Sequence, residues 1–202
     1  MTQQYIKVCK SKRAFSNELL VYQSAYPNKS ELIVIGKPNT LVLTEVKGIP
    51  YLDVQDFSDD MIAKLARAIS RFHNLVKVEG KVLCHWDNQP RNILWNDKEK
   101  KFYLIDFEDL RLAFPESDIA HLFLFWAEVM DYNQFSESVR KFVDNYQGKR
   151  ILNWETWSLA ARNSMHRFDR RRWKYHKLEK RDNSDRLKNR KLLLTLSCHI
   201  LD

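Results

Sequence analysis

Glycine is scarce in this chain, with only four in 202 residues, at positions 36, 48, 80 and 148. That excludes a collagen-like repeat and argues against a glycine-rich loop wrapped around phosphates. Cysteine is equally thin. Cys9, Cys84 and Cys198 are odd in number, far apart and without a C-x-x-C pair, so neither a disulfide framework nor a zinc site is indicated. No apolar run is long enough to span a bilayer, and the start, MTQQYIKVCKSKR, lacks the apolar core of a secretion signal. A reducing, cytoplasmic setting is the expectation.

The composition is that of a folded domain: 44% hydrophobic, 12% aromatic and 30% charged. The net charge of +8 is unevenly placed. Residues 160–192 hold thirteen Lys and Arg against four Asp and Glu, and the remainder of the chain is close to neutral.

Apolar periodicity predicts strands at Tyr5–Cys9, Glu31–Ile35 and Leu41–Val46, with a helix over Phe15–Tyr26 between the first two. Ser58 reads as the N-cap of a helix running to about Asn74, with Asp59 and Asp60 at its positive end. Short strands are expected at Lys81–Cys84, Ile93–Trp95 and Phe102–Ile105. Beyond Asp118 the pattern is helical: Ile119–Met130, Phe135–Tyr146, Trp154–Tyr175 and Asp185–Leu196. The class is α+β.

Chemistry concentrates in 82–109, VLCHWDNQPRNILWNDKEKKFYLIDFED. It contains His85-x-Asp87-x-x-x-x-Asn92, a turn, and an apolar strand ending in Ile105-Asp106-Phe107. Phosphoryl transfer needs one carboxylate near an attacking hydroxyl, and an Asn and a second Asp that hold Mg2+ against phosphates. Asp87, Asn92 and Asp106 supply that set, and oxygen ligands of this kind suit Mg2+. Cys84, next to His85 on a strand, points to the opposite face and reads as a buried thiol. His73 reads as a packing or capping residue.

These residues resemble the aminoglycoside phosphotransferase and choline kinase-like family, whose fold is that of the protein kinases. His85–Leu94 (HWDNQPRNIL) is similar to the family's catalytic loop, Leu104–Asp109 (LIDFED) to its metal-binding strand end, and Pro115-x-x-Asp118-Ile119-Ala120 to the segment that follows. The resemblance implies Asp87 as catalytic base, His85 as the brace of the loop, and Asn92 and Asp106 as Mg2+ ligands. It further implies an adenine-receiving hinge in Leu41–Gly48, near Thr44 and Val46, and a phosphate-contacting Lys7 held by Glu18. The expected architecture is two-lobed, a reduced N-lobe over 1–46 and a helical C-lobe over 47–202. Only six residues precede Lys7, which leaves no room among them for the glycine-rich hairpin, and Trp86 stands where the family commonly has glycine.

The expected activity is ATP- and Mg2+-dependent transfer of the γ-phosphate to a hydroxyl. Twelve steps from Asp106 to Asp118, without an A-P-E motif, favour a small-molecule or glycan acceptor over a protein. The basic run, with Arg170, Arg171, Arg172, Trp173 and Lys174 at its centre, predicts an anionic acceptor; RNA is a lesser alternative. The competing readings are a lidless pseudokinase that docks an acidic partner, and a small atypical protein kinase associated with RNA or ribonucleoprotein. As an inert surface, the same run would be a solvated helix face paired at i,i+4.

Overall fold

A computed structural model describes residues 4–24, 33–34, 38–54, 56–147, 152–176 and 184–196; for 33–34, 147 and 172–176 it describes the backbone alone. The fold is the expected mixture of small sheets and helices. β1 (Gln4–Val8) leads into α1 (Lys12–Gln23), followed by β2 (Ile33–Val34) and β3 (Thr40–Thr44). These strands form one antiparallel sheet in the order β1-β3-β2, with Lys7 opposite Leu41. Among the described residues, the outer edge of β1 pairs with no strand. The α1 cap is Ser11, whose hydroxyl accepts from the Ala14 amide at 3.1 Å.

β4 (Ile49–Pro50) and the single turn α2 (Tyr51–Val54) occupy what reads in the sequence only as a break. Gly48 is required just before them. A Cβ there would meet the Leu94 Cβ and the Trp95 carbonyl oxygen, both at 2.9 Å, so only glycine lets the chain run this close to its neighbour strand. α3 (Asp59–His73) follows, with Met61, Leu65, Ala68, Ile69 and Phe72 buried as their spacing predicts. Ser58 precedes α3, but its side chain makes no capping bond; its amide instead donates to Asp56 Oδ1 at 2.8 Å.

β5 (Lys77–Val78), β6 (Lys81–Cys84) and β9 (Arg111–Ala113) make a second sheet, in the order β5-β6-β9. β7 (Ile93–Asn96) and β8 (Lys101–Leu104) join β4 in a third. β5 and β9 carry no alternation long enough to be seen in sequence. The helices α4 (Glu116–Val129), α5 (Tyr132–Gln147), α6 (Trp154–His176) and α7 (Ser184–Thr195) complete the fold.

α4 is the core helix: residues 118–124, Trp126 and Ala127 are all buried. Phe123 stacks on Trp126 and meets Phe142 of α5 edge-on. Arg186 and Arg190 of α7 reach Glu128 of α4 at 2.8 and 3.0 Å, and Arg190 also reaches Asp169 of α6 at 2.6 Å. Part of the basic run therefore ties helices together through long-range pairs.

His121 is buried on α4, and burial together with the nearby Arg167 pushes its imidazole down to about 3. The unfolded chain takes up this proton near 6.5. Between those values the unfolded state holds more protons, so stability falls as pH drops. We expect His121→Gln to flatten this loss by up to about 1 kcal/mol per pH unit, read from urea unfolding between pH 6.5 and 4. Parallel stability curves for the two proteins would contradict it.

Candidate active site

Lys7 is the least exposed residue of β1, and its ammonium meets two carboxylates. Nζ lies 2.6 Å from Oε1 of the fully buried Glu18 on α1, and 2.7 Å from Oδ1 of Asp106. Burial alone would lower the lysine's pKa, but the two carboxylates outweigh it and the pKa rises. Asp106 follows β8, with φ at +66°. Partial burial opposes its charge, yet the Lys7 hydrogen bond and charge, with help from His85, hold its carboxyl below the usual range. Lys7 and Glu18 thus pair as the resemblance implies, and they join Asp106 from across the chain.

The loop after β6 is held from behind. His85 is fully buried, and its Nε2 donates to the Ile105 carbonyl at 2.8 Å, one residue before Asp106. The backbone amides of His85 and Trp86 donate to Asp118 Oδ2 and Oδ1 at 2.6 and 2.9 Å. Trp86 itself has φ at +67°, a conformation that glycine adopts freely and a bulky side chain resists. Its ring meets two guanidinium groups, Arg167 at 4.0 Å and Arg111 at 4.8 Å from the centroid.

Asp87 stands at the front of this loop. Oδ2 accepts from Gln89 Nε2 at 2.8 Å and from Asn92 Nδ2 at 3.3 Å, while Oδ1 is paired with Arg171 of α6. Pro90–Asn92 form a short 3₁₀ turn, with proline at its start as its fixed φ favours. The Asn92 carbonyl accepts from the Ile105 amide at 3.0 Å, which seats Asn92 beside the Asp106 strand end. Because Nδ2 of Asn92 points to Asp87, its Oδ1 is left without a hydrogen bond among the described residues. Asp106 Oδ2 is likewise unbonded among them.

Thr44 ends β3 opposite Gln4, and Glu45 and Val46 make no backbone hydrogen bond among the described residues. The stretch is fixed at its far end, where Lys47 O accepts from Asn96 Nδ2 at 3.0 Å. Of the five basic-run residues singled out above, Arg171 faces the site, bridging Asp87 and, at 3.5 Å, Asp109. Arg170 is exposed on another side of the helix. The side chains of Arg172, Trp173 and Lys174 lie outside the described residues.

Two residues carry more than their sequence context indicates. Asp118 is completely buried, and besides the two loop amides it accepts from His73 Nε2 at 3.2 Å. Burial opposes its charge, but the His73 hydrogen bond, the charge of His73 and His85, and the Trp86 amide keep its carboxyl below the usual range. His73 Nδ1 in turn meets the Tyr146 hydroxyl at 2.7 Å. His73, Cys84 and Asp118 place ligand atoms within 4.8 Å of one another. With both imidazole nitrogens engaged and the thiol donating to Phe114 O at 3.4 Å, they form a brace and offer no open metal position. The signal for Asp118 is its place in Pro115-x-x-Asp118-Ile119-Ala120, an acid inside an otherwise apolar buried stretch.

The model of the phosphotransferase enzyme family matches residues 23–147. The chain belongs to that family. Its fold is that of solved family kinases. An ethanolamine kinase from Plasmodium vivax superposes with a TM-score of 0.60 at 14% identity, covering 98% of this chain and 76% of that one. A choline kinase from Streptococcus pneumoniae gives 0.58 at 12% identity, covering 99% and 86%. An ADP-bound aminoglycoside phosphotransferase gives 0.55 at 15%, covering 98% and 88%. No curated protein sequence matches the chain. No helix among the described residues is long and apolar enough to cross a membrane.

In this phosphotransferase, Asp118→Ala would strand His73 and two loop amides in the interior. We expect a loss of about 3–5 kcal/mol in urea unfolding at pH 7, with Asp118→Asn losing less. A cost below about 1 kcal/mol, the range of ordinary surface contacts, would remove Asp118 from this role.

Proposed function

We propose that this chain transfers the γ-phosphate of ATP to the hydroxyl of a small-molecule acceptor, with Asp87 as the base. The supporting observation is the convergence of Lys7, Glu18 and Asp106 from positions 7, 18 and 106, directly beside a loop that presents Asp87 and Asn92. Family membership supports phosphotransfer; nucleotide, metal and acceptor are our assignment.

The residues fit a nucleotide with Mg2+. Asn92 Oδ1 and Asp106 Oδ2 are hard oxygens that lack hydrogen-bond partners among the described residues, the donor chemistry Mg2+ prefers. Lys7 keeps its charge and is steered by Glu18, so it would meet phosphate oxygens without free rotation. The unbonded backbone of Glu45 and Val46 would receive an adenine edge. Bound ATP–Mg2+ supplies the transferable phosphoryl group and neutralises its charge.

Asp87 does the remaining work. Gln89 and Asn92 fix its Oδ2, leaving Oδ1 to face the acceptor once Arg171 moves aside. The acceptor hydroxyl gives its proton to Asp87 as its oxygen bonds to phosphorus, and the bond from phosphorus to the ADP oxygen breaks. Ethanolamine and choline, named for two of the solved kinases, are hydroxyl compounds of this kind, though cationic.

Asp87→Asn keeps the shape and removes the base. It should retain the thermal midpoint and lower ADP release with a good acceptor on the order of 10²–10⁴-fold. Steady-state kinetics check this; turnover within about twofold of the parent would exclude Asp87 as base.

A further inference from the structure

Three guanidinium groups gather around Trp86 and Asp87, and two of them have no carboxylate partner among the described residues. Arg111 on β9 and Arg167 on α6 both approach the Trp86 ring, and among the described residues neither enters an ion pair. Arg167 donates only a long 3.5 Å contact to the Ser117 carbonyl, and its Nε is buried without a partner. Arg171 follows Arg167 by one turn of α6, so the two lie on the same side of that helix. Burial lowers the Arg167 pKa; Asp118 opposes this, and the charges of Arg171 and Arg111 push it down further. Trp86 accounts for holding the two unpaired guanidiniums in place. It does not neutralise them, because an aromatic face offers a quadrupole and no counter-charge.

Arg171 has a partner, and the identity of that partner is informative. It sits on Asp87 Oδ1, the oxygen that an acceptor hydroxyl would need. Its second contact, Asp109, is 3.5 Å away and shared with Lys10. An acceptor carrying its own anion would offer Arg171 a better partner than a shared and distant carboxylate, and would also fill the unmatched positive field of Arg111 and Arg167. A cationic or neutral alcohol would do neither.

We propose that Arg111, Arg167 and Arg171 form a binding site for an anionic group, phosphate or carboxylate, on the acceptor, and that its binding draws Arg171 away from Asp87. This rests on the assignment of Asp87 as base. Arg111 and Arg167 recognise the anion, and Arg171 exchanges one anion for another. The base is thus covered until an acceptor of the right charge is seated.

The test has a kinetic arm and a binding arm. Glycerol, glycerol 3-phosphate, glycerate and choline are compared as acceptors with ATP–Mg2+. An anionic alcohol should exceed glycerol and choline in kcat/KM by at least about tenfold. Arg111→Gln, at an exposed position, should erase most of that preference through the acceptor KM and leave the nucleotide KM in place. A preference for choline or glycerol, or an equal loss on all four acceptors, would overturn the proposal. Comparing glycerol 3-phosphate with glycerate tells phosphate from carboxylate.

The binding arm needs no turnover. Inorganic phosphate should raise the thermal midpoint of the parent protein. That rise should disappear when Arg111→Gln and Arg171→Gln are added. Failure of turnover with every acceptor, with this protection intact, would reject the phosphotransfer assignment and keep the anion site. A phosphate effect that is absent, or unchanged by the arginine substitutions, would reject the anion site itself.

Discussion

One buried carboxylate organises this molecule. Asp118 sits in the first turn of α4 with no exposure, and the groups that donate to its carboxylate come from other parts of the chain. Its oxygens take the amides of His85 and Trp86 and the imidazole of His73, which is itself tied to Tyr146 on α5. A charge so placed would be costly alone, and it is retained because these donors replace water. The same bonds hold Trp86 at a φ that its side chain would not choose, and the loop that presents Asp87 and Asn92 is set by that turn. The brace lies outside the candidate chemistry yet fixes where it occurs.

A second constraint works from the opposite side. Lys7, near the N-terminus, bridges Glu18 and Asp106, so the first sheet and the strand end after β8 are locked across almost a hundred residues. Lys10 adds a nearby pair to Glu108 at 3.1 Å, and Asn17 donates to the Glu108 carbonyl at 2.8 Å. The candidate site therefore has two walls, each fixed by a buried carboxylate, Asp118 on one side and Glu18 on the other. Phosphoryl transfer asks the protein mainly for positioning and for charges that do not reorganise, and both walls supply them.

Much of this is visible in the sequence because it is local. His85, Asp87, Asn92 and Asp106 lie on one loop and one strand, and the spacing of types is enough to pick them out. Lys7 and Glu18 are found only through the resemblance, which supplies the order in which such a pair occurs. What stays hidden is long-range. Nothing near Asp118 or His73 announces that they meet, and no periodicity in α6 says that Arg171 turns toward Asp87 while Arg170 turns to solvent. The long-range pairs within the basic run stay hidden for the same reason: Arg186 and Arg190 find partners on α4 and α6, and partners at that separation cannot be seen from composition. Short strands such as β5 and β9 fail differently, having too few residues to show a period of two.

The central claim is that Lys7, Asn92 and Asp106 form a nucleotide–metal site in this phosphotransferase. Calorimetric titration of ATP, with and without Mg2+, into the parent protein and Asp106→Asn tests it most directly. ATP should bind the parent in a Mg2+-dependent manner, and Asp106→Asn should lose most of that dependence while remaining folded. ATP binding that is absent, or indifferent both to Mg2+ and to Asp106, would contradict the account.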